Sequence, residues 1–198
     1  MAIDPSKFRL INVADTCSVW NVLSSTTLYS AAREARCEFC ITSFVRYECL
    51  NKPRKKTPTA AEAELMRRLA QEQGRGSFVA HSCEIGDLQA IKLLESRKSL
   101  GKGELSSIAF AMKIGQAVIT DDMKARKLAE DSGHAHVQTT PHLFSWLIFQ
   151  GRLGDSDKGT VITQHKALDR PLAPAFETAY ELALRCRLNA LPQKFNAI

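Results

Sequence analysis

The stretch Gly101-Lys-Gly103-Glu104-Leu-Ser-Ser-Ile108-Ala-Phe-Ala-Met112-Lys-Ile-Gly115-Gln-Ala117-Val-Ile119-Thr-Asp121-Asp122-Met-Lys-Ala-Arg126 decides the reading of this chain. Gly101 and Gly103 break the preceding element, and a helix starts at Glu104. Leu105, Ile108, Ala109 and Met112 fall at i, i+3, i+4 and i+7, the single apolar stripe of an amphipathic helix. Gly115 ends it. Ala117-Val-Ile119 then reads as a buried strand that runs straight into Thr120, Asp121 and Asp122, and a further helix from Met123 to Asp131 closes at Gly133.

The flanking sequence repeats this alternation. Phe8 to Ala14 reads as a strand ending at Asp15, and Thr16 to Arg36 as mainly helical with a break at Ser24-Ser25. Phe39 to Thr42 is a second strand, whose following helix is capped by Thr42 or Ser43 and stopped by Asn51-Lys-Pro53. After a polar loop, Thr59-Ala-Ala-Glu62 forms a capping box for a helix ending near Gly74 to Gly76. Ser77 to His81 suits a third strand, Gly86 to Arg97 a helix, and His136-Val-Gln138 a short last strand. Thr140-Pro141 reads as N-cap and first residue of a helix ending at Gly151. Strands alternating with helices predict a three-layer α/β/α fold with a central parallel sheet over residues 1–152. Residues 152–160 read as a loop and Ala175 to Leu188 as a helix presenting Phe176, Tyr180 and Leu184. Residues 153–198 are therefore expected to be an extension packed on the core or on a partner, and deleting 155–198 is expected to lower solubility or break a dimer while leaving the acidic site in place.

The chain has 198 residues, a hydrophobic fraction of 44 % and a charged fraction of 24 %, the make-up of a globular domain. No apolar run approaches the roughly 20 residues needed to span a bilayer. Met1-Ala-Ile-Asp-Pro-Ser lacks the layout of a signal peptide, so a cytoplasmic location without membrane contact is expected. The net charge of +6 favours a polyanionic partner, and Lys52, Arg54, Lys55 and Lys56 either track nucleic-acid phosphates or form a solvated loop. Six cysteines sit mostly in apolar runs. Cys37-Glu-Phe-Cys40 has the spacing of half a zinc site, for which His81 and Cys83 could supply the other half, but buried thiols are the favoured reading.

In an open parallel sheet, functional groups gather beyond the carboxyl ends of the strands. Asp15 follows the first strand and Asp121 and Asp122 follow the Ala117 strand. Glu48 lies in the helix after the second strand, and Glu104 opens the helix after the glycine hinge. Each alone has an ordinary use: Asp15 and Asp122 as N-caps, Glu104 beside a helix dipole, Glu48 in solvent. Together they point to a crevice of repelling carboxylates that a hard divalent cation, Mg²⁺ or Mn²⁺, would neutralise, the setting for metal-assisted phosphodiester hydrolysis.

These same residues carry a resemblance. Leu10-Ile-Asn-Val-Ala-Asp15-Thr16 resembles the opening motif of PIN domains. Glu48, in Thr42-Ser-Phe-Val-Arg-Tyr-Glu48, resembles the second acid of VapC-type toxins. Gly103 to Arg126 is similar to the second half of that fold, and Thr140 to Trp146 to its closing helix. The resemblance, over residues 8 to 150, implies a metal-dependent endoribonuclease with Asp15, Glu48, Glu104 and Asp122 as catalytic and metal-binding acids and Asp121 as an extra ligand or a cap. It further implies RNA as substrate, an antitoxin protein as partner and often a homodimer. The chain departs from the toxins in having Glu rather than Asp at position 104 and in its long tail. A non-catalytic RNA- or partner-binding module is the alternative. A phosphatase of the haloacid-dehalogenase kind lacks its acid, since Cys17 stands where a second Asp belongs.

Overall fold

The apolar run Ile11–Ala14 becomes the central strand, β1, of a five-stranded sheet. The computed structural model describes residues 3–53, 56–83 and 100–190. β1 pairs in parallel with β2 (Glu38–Thr42) on one side and β4 (Ala117–Ile119) on the other. β3 (Val79–His81) adds beyond β2 and β5 (Val137–Gln138) beyond β4, also parallel, in the order β3-β2-β1-β4-β5. The chain winds outward one way and then returns to the other side, so the topological switch point lies between β1 and β4.

Around the sheet run α1 (Thr16–Ser24), α2 (Thr26–Glu34), α3 (Ser43–Arg46) continuing into a π-helical turn (Tyr47–Asn51), and α4 (Ala60–Gly74). They are followed by α5 (Lys102–Ile114), α6 (Met123–Asp131), α7 (Thr140–Phe149), α8 (Asp155–Ala167) and α9 (Ala173–Ala190). Successive strand residues face opposite sides. Ala14 and Ile119 accordingly join a large apolar cluster with α1, α2 and α7, while Val13 and Val118 join a smaller one with α5 and α6. This is a three-layer α/β/α architecture with a parallel sheet.

Several local expectations are corrected. The 152–160 loop is mostly helix: α8 begins at Asp155 behind Gly154, whose N–H donates to Asp157 Oδ2 at 2.8 Å. Its polar sequence hides it, because only Val161, Ile162 and His165 are buried. The helix expected from Glu104 starts at Lys102, with Gly101 as N-cap and Glu104 at its third position. The third strand starts at Val79 because buried Phe78 takes a left-handed φ of 50° to stack on Phe39. Cys37 packs into the large cluster and Cys40 against the small one, on opposite faces of the sheet, so the two thiols do not converge on an ion. Burial pushes them up to about 12 and about 11, as inert thiols. The expected Gly86 to Arg97 helix lies outside the described residues.

The extension has no core of its own. Val161 and Ile162 of α8 and Phe176, Ala179 and Ala183 of α9 belong to the large cluster. Phe176 meets Phe144 edge-on at 5.1 Å and His165 at 4.7 Å. Removing such a side chain costs about 3–5 kcal/mol, so this part of the tail is a structural element of the domain.

Candidate active site

Asp15 stands at the β1 end of the switch point and is 1 % exposed. Its Oδ1 caps α1 by accepting the Ser18 N–H at 2.7 Å, and its Oδ2 accepts the hydroxyl of Thr120 from the end of β4. Capping and site placement thus fall on one side chain. Burial pushes this carboxyl up to about 7, against the two hydrogen bonds and with a contribution from neighbouring Asp121.

Of the two residues that the sequence offers as the cap, Asp122 takes it and Asp121 does not. Asp122 is the N-cap of α6: its Oδ1 accepts the N–H groups of Lys124 and Ala125, both at 2.8 Å. Asp121 turns toward α1 and α7. Its Oδ1 accepts the Thr140 N–H at 2.8 Å, and its Oδ2 accepts Thr140 Oγ1 at 2.6 Å, Asn21 Nδ2 at 2.7 Å and Ser18 Oγ at 3.5 Å. Thr140 is consequently not the cap of α7. Thr139 takes that place by accepting the His142 N–H at 3.1 Å, leaving Thr140 free to serve Asp121.

Glu48 projects from the π-helical turn toward the start of α5. Thr16 Oγ1 donates to its Oε2 at 2.7 Å and the Gly103 N–H to its Oε1 at 3.3 Å. Gly103 makes room for the Glu48 carboxylate, since a Cβ there would lie 2.3 Å from Glu48 Oε2 and 3.0 Å from Thr16 Oγ1 and would push the carboxylate aside. The start of α5 is tied to the sheet by Ser106 and Ser107, whose hydroxyls both donate to Gly103 O at 2.9 Å. Ser107 also reaches Ala14 O at 3.3 Å, and Ser106 shares a 2.7 Å bond with Thr42 Oγ1. Glu104 bonds back to the Gly101 N–H at 2.5 Å. Its carboxyl is raised by burial, with Asp122 and Glu48 adding repulsion, so it belongs to the same electrostatic neighbourhood as those two acids.

The structure therefore arranges the five acids around one end of the sheet, with Asp15 coupled to Asp121 and Glu104 to Asp122 and Glu48. Their oxygens are all hard ligands, and the carboxyls of Asp15 and Glu104 are raised, chiefly by burial and in part by neighbouring acids. That chemistry fits Mg²⁺ or Mn²⁺, which take one or two carboxylates and otherwise water. Among the described residues, no group of three or more His, Cys, Asp or Glu is gathered tightly enough to hold an ion.

Beside Glu48 a cleft of about 670 Å³ is lined by Ser43, Phe44, Tyr47, Lys52, Gly101 and Lys102. Lys52 and Lys56 of the basic loop are exposed, while Arg54 and Lys55 lie outside the described residues.

Sequence reasoning missed the residues that hold the acids: Ser18, Asn21, Thr120, Thr140 and Arg170. Thr120 and Thr140 had a signal, being hydroxyls just beyond strand ends. Arg170 had none. It lies between α8 and α9, and its Nε donates to Asn21 Oδ1 at 2.8 Å. The tail is thus joined to the site that its removal was expected to leave in place.

A family model, DUF3368, described as a PIN domain, matches residues 11–140. The chain belongs to the PIN-domain family, whose fold is of the nuclease type. No curated protein and no solved structure matches it. Membership removes the phosphatase reading, and Cys17, pushed up to about 11 chiefly by burial, is no substitute for the acid that chemistry needs. Among the described residues, no helix is long and apolar enough to cross a membrane.

Proposed function

We propose that this chain is a Mg²⁺- or Mn²⁺-dependent endoribonuclease and the toxin of a toxin–antitoxin pair. The observation that carries the nuclease reading is a PIN fold with Asp15 and Asp121 at its β1/β4 switch point, both bonded to Ser18, and with Glu48, Glu104 and Asp122 on the neighbouring helix starts. One or two of these carboxylates, with water filling the other positions, would hold the cation, which when bound supplies charge neutralisation, an acidified water and polarisation of the scissile phosphate. The chain's own residues do the positioning. Ser18 and Thr120 fix Asp15; Asn21 and Thr140 fix Asp121; Thr16 and Gly103 fix Glu48. Lys52 and Lys102 offer the adjoining cleft positive charge for phosphates, and Phe44 and Tyr47 offer ring faces for unstacked bases.

The test is cleavage of single-stranded RNA by the purified chain with Mn²⁺, with chelator, and with Asp15→Asn. Metal-dependent cleavage that disappears in Asp15→Asn supports the reading. RNA that stays intact while still being bound would favour the non-catalytic module. The toxin role predicts that induced expression in bacteria arrests growth and that Asp15→Asn abolishes the arrest. The mass of the purified chain in solution tests the homodimer.

A further inference from the structure

Arg170 comes from outside the residues that the family model matches, yet its side chain lies against α1. Its backbone is fixed. Asp169 takes a left-handed φ of 55°, the Asp169 N–H donates to Lys166 O at 3.1 Å, and the Arg170 N–H donates to His165 O at 2.9 Å, the paired bonds of a Schellman turn closing α8. α8 is itself moored to the core. Gln164 Oε1 accepts Ser25 Oγ at 2.7 Å and the Thr27 N–H at 3.2 Å, bonding to the start of α2.

From this mooring the guanidinium forks onto two α1 residues: Nε to Asn21 Oδ1 at 2.8 Å and Nη2 to Cys17 Sγ at 3.5 Å. Arginine can only donate and an ionised carboxylate can only accept. Between them the Asn21 amide has one orientation that satisfies both, oxygen toward Arg170 and nitrogen toward Asp121, at 2.7 Å. Without Arg170 the amide oxygen loses its donor and Asn21 is held only through its nitrogen, by Asp121 Oδ2 and by Cys17 Sγ at 3.7 Å, so one of the two partners that set its orientation is gone. We propose that the C-terminal extension is a working part of the acidic site: Arg170 is a positioning residue that, by fixing the Asn21 amide, holds Asp121 for the metal-dependent reaction. This rests on the nuclease reading.

The test uses the full chain as wild type, Arg170→Leu, Arg170→Lys, Asn21→Ala and the Arg170→Leu/Asn21→Ala pair. Arg170→Leu is expected to weaken Mn²⁺ binding by calorimetry and to lower kcat for RNA by about 10- to 100-fold, the usual cost of losing a group that orients a ligand, with KM unchanged. In the Asn21→Ala background it should make no further difference, because the effect passes through Asn21. The Asn21 side-chain amide resonances should shift or double in Arg170→Leu. If Arg170→Leu does not fold, Arg170→Lys carries the same expectations, since it keeps stem and charge but not the fork. Unchanged Mn²⁺ affinity and amide resonances, or losses that multiply in the double variant, overturn the proposal. If the wild type neither binds Mn²⁺ nor cuts RNA, the nuclease reading falls and the catalytic part of this proposal with it. The amide resonances still decide whether Arg170 governs Asn21.

Discussion

The two faces of the sheet hold their acids in different ways. On the face covered by α1, α7 and the tail, Asp121 is gripped by Ser18, Asn21 and Thr140, donors distant in sequence. On the face covered by α5 and α6, Asp122 and Glu104 accept bonds from backbone N–H groups of their own helix starts. The first arrangement fixes a carboxylate through tertiary packing. The second leaves it on a local hinge, able to change rotamer at the cost of a cap. Asp15 sits between them, capping its own helix and accepting from Thr120.

The largest expected effect breaks both sides at once. Asp15→Asn and Asp122→Asn each keep a capping oxygen but lose charge, so cleavage should fall by on the order of 10²-fold or more with melting temperature preserved. Parallel Mn²⁺-cleavage assays and melts check this, and a large drop in melting temperature for either would show that its structural role dominates. Next comes Gly103→Ala. The Cβ must displace the Glu48 carboxylate, 2.3 Å away, and disturb its bond to Thr16. About a tenfold loss of cleavage is expected, and wild-type rates in this variant would remove Glu48 from the reaction.

Asp121→Asn sharpens the contrast. Its amide nitrogen must face at least one of the donors that now converge on the carboxylate, at about 1–3 kcal/mol, or a melting temperature lower by on the order of 5 °C. Asp122→Asn should show no such drop, because asparagine caps a helix about as well as aspartate. The smallest effect concerns support for the tail side. His165 is fully buried, neither ring nitrogen has a hydrogen-bond partner among the described residues, and burial, with Arg170 adding repulsion, pushes its pKa down to about 3 from 6.5. Its folded pKa is below its unfolded one, so from about pH 6.5 down to about 3 the unfolded chain holds the extra proton and stability falls on acidification, by at most about 1.4 kcal/mol per pH unit. His165→Leu should flatten the melting temperature between pH 7 and pH 5; an unaltered slope assigns the acid sensitivity elsewhere.

What was legible follows the same division. The alternating strands and helices, the capping box of α4 and the acids at strand ends depend on neighbours in sequence, and periodicity and cap chemistry expose such neighbours. The sequence left the cap open between Asp121 and Asp122 because Asp121 answers to Asn21 and Thr140, which no local pattern connects to it. α8 escaped notice because tertiary packing, rather than an apolar stripe of its own, holds it in place. The three-to-four spacing of Leu105, Ile108 and Ala109 was readable; that Gly103 is small to admit Glu48 was not.

The mooring of α8 through Gln164 also has a consequence in time. A ribosome polymerises every acid of the crevice before it reaches Gln164 and Arg170, and at about 5–20 residues per second the interval lasts several seconds. Ser18, Asn21 and Thr140 are already made by then, while Arg170 and the core residues of α8 and α9 arrive late. For a chain proposed to cut RNA, this leaves the site unfinished during the seconds when the nearest strand is its own message.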